Sequence, residues 1–493
     1  MAQVDRRTVL KAGAVAALTG PFAGFFARQA NAAPSSAAGP ALVGVQDLRD
    51  GAIRLALPRG FAYRSFQPTG ERLRFGATVP PRHDGMAAFP GPNGASRLVR
   101  NHEILGSGTP FATTPTPYDS GALGGTVNTV VTGEGVVLDS WPSLTGTQGN
   151  CAGGPMPWGS WVTCEETING PDVFDDFNRG SAPPETYVVN AELKKPHGYV
   201  FEVPADGVST AEPVRATGRF SHEAIAYSPG EDVFYLTEDD FGFPSGFYRY
   251  VPPRRPGPTR RLRDGGRLFM LAVQGVPEAR LEAASRVGVR VPVRWVEIEN
   301  PDPTFPMNAR GTKPTVTNDE AIHAVAEQGW VQGAAYFSRL EGATYDRDIV
   351  YFTSTQGGGP RAPWERGDPA VPTGFGSGFG QIWAYHTVSQ ELELVYVSPG
   401  PDVLDFPDNI TTTRGGALVI CEDGTNGNYV RGLTPNGVLF DIAQNLIPKG
   451  TDIGGDEFAG STFSSDGRTL FVNIQASSGL SIAIFGDWAG MGL

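Results

Sequence analysis

The chain has 493 residues and a formal net charge of −13, so it can bury a large core but is too acidic for a nucleic-acid partner, which is bound through basic surfaces. Its 65 glycines and 42 prolines leave little room for long helices, and three cysteines cannot all pair within one chain. An acidic protein still takes a small phosphorylated substrate where bound cations reverse the local field.

The chain opens on Asp5-Arg6-Arg7-Thr8-Val9-Leu10-Lys11, then an apolar run over 12–27 broken by Gly and Pro, then Ala30-Asn31-Ala32. This predicts a twin-arginine export signal over residues 1–32, leaving residues 33–493 as a single mature domain in the periplasm or outside the cell. That route carries folded proteins, which suits a chain that acquires a cofactor before export. No other run is long enough to span a bilayer, so a soluble monomer without a membrane anchor is expected.

Short apolar runs at 197–203, 233–237, 348–353, 381–385, 417–421 and 469–474 are bounded by turn residues such as Ser228-Pro229-Gly230 and Ser465-Asp466-Gly467, the signature of strands. Residues 169–195, 252–264 and 356–379 read as exposed loops. The arginines Arg254, Arg255, Arg260, Arg261 and Arg263 are then a solvated cluster. Residues 313–330 read as a helix, capped at Asn318-Asp319-Glu320, with Ala321, Ile322, Val325 and Ala326 on its apolar face. Several strands follow a turn holding Asp or Gly and end on a polar or acidic residue. This loose repetition predicts an all-β fold, a β-propeller of six blades with inserted loops and one or two short helices. A pair of β-sandwiches is the alternative.

Chemistry concentrates at strand ends. Cys151 sits in a glycine-rich turn, and the strand after it ends on Glu165-Glu166; Thr237-Glu238-Asp239-Asp240 and Cys421-Glu422-Asp423 close other strands with adjacent acids. Further acids and histidines stand beside turns in Asn101-His102-Glu103, Ser221-His222-Glu223, Arg339-Leu340-Glu341-Gly342, Pro407-Asp408-Asn409 and Gly455-Asp456-Glu457. Gathered carboxylates must be protonated, paired with bases or bridged by cations. Carboxylate and amide oxygens suit calcium, and a thiolate among them points to a transition metal. Six histidines without His-x-His or His-Glu-x-x-His spacing speak against a zinc hydrolase. No Gly-x-Ser-x-Gly elbow or Walker loop is present.

Taken in order from about residue 80 onward, Asn150-Cys151-Ala152-Gly153-Gly154 with Cys164-Glu165-Glu166, Gly218-Arg219-Phe220-Ser221-His222-Glu223-Ala224, the Thr237–Asp240 strand end with Gly246-Phe247-Tyr248-Arg249-Tyr250, Arg339-x-Glu341-Gly342, Pro407-Asp408-Asn409 and Glu457-Phe458-Ala459-Gly460 resemble the PhoX-type alkaline phosphatases. The resemblance implies a six-bladed propeller whose mouth holds ferric and calcium ions bridged by an oxo group, with export by the twin-arginine machinery. It implies Cys151 as a thiolate ligand to iron, and Glu223, Glu341, Asp408 and Asn409 as ligands shared among iron and calcium. Glu166 and Asp240 are assigned as metal ligands, with the neighbours Glu165 and Asp239 as alternatives, and Arg339 as the residue facing the substrate phosphate. The chain is more compact than better-known members, and trimmed loops change substrate contacts. A non-catalytic calcium-binding propeller and a calcium-dependent esterase or lactonase are the competing readings; neither explains the thiol.

Overall fold

The computed structural model describes residues 39–174, 192–253, 261–368, 374–425, 427–450 and 452–493. The export signal expected over residues 1–32 lies outside them, as do Arg254, Arg255 and Arg260 and much of the insert expected over 169–195. No helix among the described residues is long and apolar enough to cross a membrane.

The architecture is all-β and propeller-like, with few helices. The apolar runs expected as strands form Val200–Pro204, Val233–Glu238, Ile349–Ser354, Gln381–His386, Leu418–Glu422 and Thr469–Ile474. The helix expected over 313–330 is two short helices, Asn318–Ile322 and Ala324–Trp330, broken at His323. Thr317, one residue before the expected cap, starts the first: its Oγ1 accepts from Glu320 N at 3.1 Å while Thr317 N donates to the Glu320 carboxylate at 2.9 Å, a capping box.

Six strands, His83–Pro90, Asn150–Met156, His222–Ser228, Leu340–Asp346, Pro407–Thr412 and Phe458–Phe463, pack side by side in a closed ring. Each begins an antiparallel ladder that runs outward. The outer ladders are unequal. Arg290, Val291 and Pro292 pair with Glu393, Leu392 and Glu391, fusing the third and fourth ladders into one nine-stranded sheet, whereas the second ladder has three strands. The expectation of six separate blades therefore holds only as a propeller-like arrangement, because hydrogen bonds at the outer edges join what the sequence repeat sets apart.

The ring closes through the beginning of the domain. Ala62–Phe66 pairs with Leu480–Phe485, so an early strand completes the last sheet, a closure that removes an exposed edge. Between neighbouring ladders, fully buried side chains such as Val162, Ile225, Phe234 and Leu236 form the core, each contributing about 1.5–3 kcal/mol by leaving water.

Candidate metal centre

Every ring strand carries the same irregularity near its start. The ladder pairs His83 with His102 and next Met86 with Arg100, so Asp84 and Gly85 fall in a bulge; Cys151-Ala152, Glu223-Ala224, Glu341-Gly342 and Asp408-Asn409 fall in matching bulges of the next four strands. Bulges re-aim side chains, and here they turn the first residue of each pair toward the ring axis. In the first four of these pairs the second residue is glycine or alanine, because backbones meet there, and in the fifth it is Asn409. A Cβ on Gly85 would lie 2.5 Å from Ala152 Cα, and one on Gly342 would lie 2.7 Å from Ile410 N. The sixth strand has glycine and serine in its bulge, Gly460-Ser461.

A second tier comes from the adjacent strands. One residue beyond the last ladder pair of each stand Glu103, Glu166, Asp239, Thr355, Asp423 and Gln475. Their backbone N–H groups donate to the carbonyls of Arg82, Gly149, Ser221, Arg339, Phe406 and Glu457 at 2.8–3.2 Å. The two tiers enclose a cavity of about 240 Å³. Its walls hold nine carboxylates (Asp84, Glu103, Glu166, Glu223, Asp239, Glu341, Asp408, Asp423 and Glu457), the Cys151 thiol, the Gln475 amide and one guanidinium, Arg339.

Strand alternation resolves the adjacent acids. Glu165 turns away from the cavity and accepts from Gln148 N and Gly198 N, both at 2.9 Å, with His197 Nδ1 at 2.6 Å. Glu238 accepts from Gly246 N at 2.8 Å and Tyr248 OH at 2.9 Å, and Glu422 accepts from Arg431 Nε at 2.8 Å. These three acids staple loops beneath the mouth. The cavity therefore takes Glu166 and not Glu165, and Asp239 rather than the expected Asp240. Asp240 Oδ1 accepts from Gly242 N at 2.9 Å and Phe243 N at 3.2 Å, which commits it to its own turn. Asn409 lines the narrow channel below the acids, where its Nδ2 donates to Asp408 Oδ1 at 2.7 Å and its Oδ1 accepts from Gly460 N.

The carbonyls of several bulge residues are tied to the preceding ladder. Asn101 Nδ2 donates to Cys151 O at 2.8 Å and Ala152 O at 2.7 Å, Thr237 Oγ1 to Glu341 O at 2.6 Å, Thr353 Oγ1 to Asp408 O at 2.6 Å, and Asn473 Nδ2 to Asp84 O at 2.5 Å. Arg339 donates from Nη2 to Asp239 at 2.7 Å and to Glu341 at 3.0 Å.

The electrostatics call for cations. Burial and then neighbouring acids push Glu166, Glu223, Glu341, Asp84 and Glu457 well above the carboxylate range, and Asp408 is pushed up to about 7. Burial, followed by Glu223 and Glu166, likewise holds the Cys151 thiol well up. One guanidinium cannot balance nine carboxylates. The donor atoms are also close enough to share ions: Cys151, Glu166 and Glu223 each offer a ligand atom within 4.8 Å of the others, and so do Glu223, Glu341 and Asp408. This donor set fits a thiophilic metal beside an oxygen-seeking one, with Glu223 common to both.

Of the residues expected at the site, Cys151, Glu166, Glu223, Arg339, Glu341 and Asp408 line one cavity, while Asp240 and Asn409 do not. Glu103, Asp423 and Glu457 lie in stretches that the sequence marks without assigning a role. Asp84 and Gln475 stand outside them. Asp84 had a signal, since Arg82-His83-Asp84-Gly85 repeats the pattern of Arg339-Leu340-Glu341-Gly342.

The sequence matches the family described as alkaline phosphatase PhoX over residues 44–135 and 132–478. The chain belongs to the PhoX family. It is thereby a hydrolase of the alkaline phosphatase class. Among solved structures, it is similar to Pseudomonas fluorescens PhoX in complex with vanadate, a transition state analogue, at 18% identity and a TM-score of 0.63, covering 91% of this chain and 98% of that one. A streptogramin B lyase follows at 11% identity and TM-score 0.38, covering 87% and 98%, and a Xanthomonas campestris gluconolactonase at 13% and 0.37, covering 92% and 99%. No curated protein matches the sequence.

Proposed function

We propose that the protein is an exported, metal-dependent phosphomonoesterase that releases inorganic phosphate from small phosphorylated substrates, with iron and calcium held in the acidic cavity. The observation that carries this reading is the pair of ligand groups sharing Glu223, one with the only thiol of the cavity and one with carboxylates alone. Cys151, Glu166 and Glu223 would hold iron; Glu223, Glu341 and Asp408 would hold calcium, with Asp84, Glu103, Asp239, Asp423 and Glu457 near enough to take part. Bound there, the cations supply charge neutralisation and Lewis-acid polarisation of the phosphoryl group.

The chain's own residues then position the substrate. Arg339 Nε and Nη2 are held by Asp239 and Glu341, which leaves Nη1 to reach a phosphate oxygen. Burial works against the Arg339 charge, but Asp239 and Glu341 outweigh it and raise its pKa well above the usual value, so it stays a cation at any working pH. Such fixed donors stabilise charge that builds on the transferred group without reorganising at the moment of reaction.

Family membership and the likeness to a PhoX structure support the phosphatase, and the ring of six bulged strands supports a count of six blades. The arginine pair near the N-terminus supports twin-arginine export to the periplasm or beyond, and we propose a monomer. The test is metal analysis of protein exported by its own signal, beside an assay for phosphate release from a generic monoester. Iron and calcium together with release are expected; calcium alone without release refutes the reading.

A further inference from the structure

The ring places a second arginine where Arg339 stands. Arg82 and Arg339 each immediately precede a ring strand, and each is followed two residues later by a cavity carboxylate, Asp84 or Glu341. Both have left-handed backbone, with φ of 55° and 45°. Their carbonyls accept equivalent hydrogen bonds, from Glu103 N at 3.0 Å and Thr355 N at 2.9 Å. A left-handed residue other than glycine is strained and persists where its surroundings enforce it. Here it turns both arginine side chains at the same level of the mouth. Two ring strands separate Arg82 from Arg339 on either side, so the two residues stand on opposite sides of the ring.

Their partners differ. Arg339 is half-buried between two carboxylates, whereas Arg82 is exposed and makes no ion pair among the described residues. Arg82 Nη1 donates to Gln475 Oε1 at 3.2 Å, and Gln475 Nε2 donates to Asp84 Oδ2 at 2.8 Å. The amide thus moors the guanidinium to the cavity wall without neutralising it. On a mouth lined with acids, an unneutralised cation moored across from the phosphate-facing arginine is placed to hold a second anion.

Resting on the phosphatase reading, we propose that Arg82 binds a second phosphate group of the substrate, and so favours monoesters whose leaving group itself carries a phosphate. The test compares phosphate release from fructose 1,6-bisphosphate and fructose 6-phosphate by metal-loaded wild type, Arg82→Gln, Arg82→Lys and Arg82→Gly. The glycine variant adopts the left-handed backbone without strain, and its unfolding midpoint and metal content show that the fold is kept. The ratio of kcat/KM for the bisphosphate to that for the monophosphate is expected to fall about fivefold in the glutamine and glycine variants, through KM, and to be largely retained in the lysine variant. A ratio that does not move overturns the assignment of Arg82, as does an equal loss of kcat on both substrates. Wild-type protein that releases phosphate from neither substrate refutes the phosphatase reading itself, and this proposal with it.

Discussion

Replacing Asn101 with alanine tests whether the cavity is held in shape by the hydrogen bonds between ladders. Asn101 is fully buried; its Nδ2 donates to Cys151 O at 2.8 Å and Ala152 O at 2.7 Å, and its Oδ1 accepts from Trp161 Nε1 at 2.9 Å. The alanine variant leaves two carbonyls and an indole N–H without partners in a dry interior, a loss of about 3–9 kcal/mol at 1–3 kcal/mol per group. A chain of this size loses roughly 1 kcal/mol per degree near its midpoint, so Tm should fall by about 3–9 °C. The bulge it releases carries the Cys151 thiol, and residues that orient a ligand are worth about 10–100-fold in metal affinity. The assay follows unfolding of the metal-free and metal-loaded proteins and the visible thiolate-to-metal absorption that the proposed iron at Cys151 would give. A larger Tm loss with metal than without, and a weakened absorption band, are expected. Equal losses in both forms with an unchanged band would refute a positioning role and leave Asn101 as a core residue only.

Two further predictions separate neighbouring residues or states. Asp239→Asn, in the cavity wall and on Arg339, should lower metal content and kcat at least tenfold, whereas Asp240→Asn should cost about 1–2 kcal/mol of stability with metal content kept, because its carboxylate serves its own turn. Metal analysis and thermal unfolding of the two variants check this. His197, buried between Glu165 and Asp119, has an alkaline signature: burial opposes its charge, but the two carboxylates prevail and raise its pKa to about 9. A raised histidine pKa stabilises the fold fully below the unfolded value near 6.5 and loses that contribution as pH climbs through 9. Unfolding midpoints of wild type should therefore decline across pH 6.5–9, and His197→Gln should flatten that decline.

Much of the fold was legible because strand signals are local. The run 469–474 is apolar and turn-bounded, and it forms Thr469–Ile474. The fusion of two ladders through Arg290 and Glu393 was not legible, because it depends on edges that are distant in sequence. At the site, Cys151 and Glu223 stand out as unusual residues beside glycine, alanine or histidine. Asp84 does not, because a single aspartate before glycine reads as a turn former, and only its alignment with Glu341 across the ring gives it meaning. The choice between Asp239 and Asp240 turns on one step of strand alternation, which sequence places no better than within a residue or two.

The repeat also explains how a near-symmetric backbone can make an asymmetric site. All six ring strands carry the bulge, and all six second-tier residues make the same backbone hydrogen bond, so the frame fixes where side chains point but not what they are. The second tier has Thr355 in place of an acid, and its Oγ1 donates to Glu341 Oε1 at 3.1 Å and to Pro407 O at 3.0 Å. The sixth bulge carries Gly460, whose left-handed φ of 61° and close approach to Asp84 O exclude a Cβ. The second ladder's bulge therefore contributes a thiol, the four bulges at Asp84, Glu223, Glu341 and Asp408 contribute carboxylates, and the sixth contributes none. The bulges thus place a soft donor on the second ladder and carboxylates on the first and on the third to fifth, positions that differ in the donor type by which a site selects its ion. Changes at single bulge positions can then alter the metal set or the anion held at the mouth while the propeller-like frame stays the same.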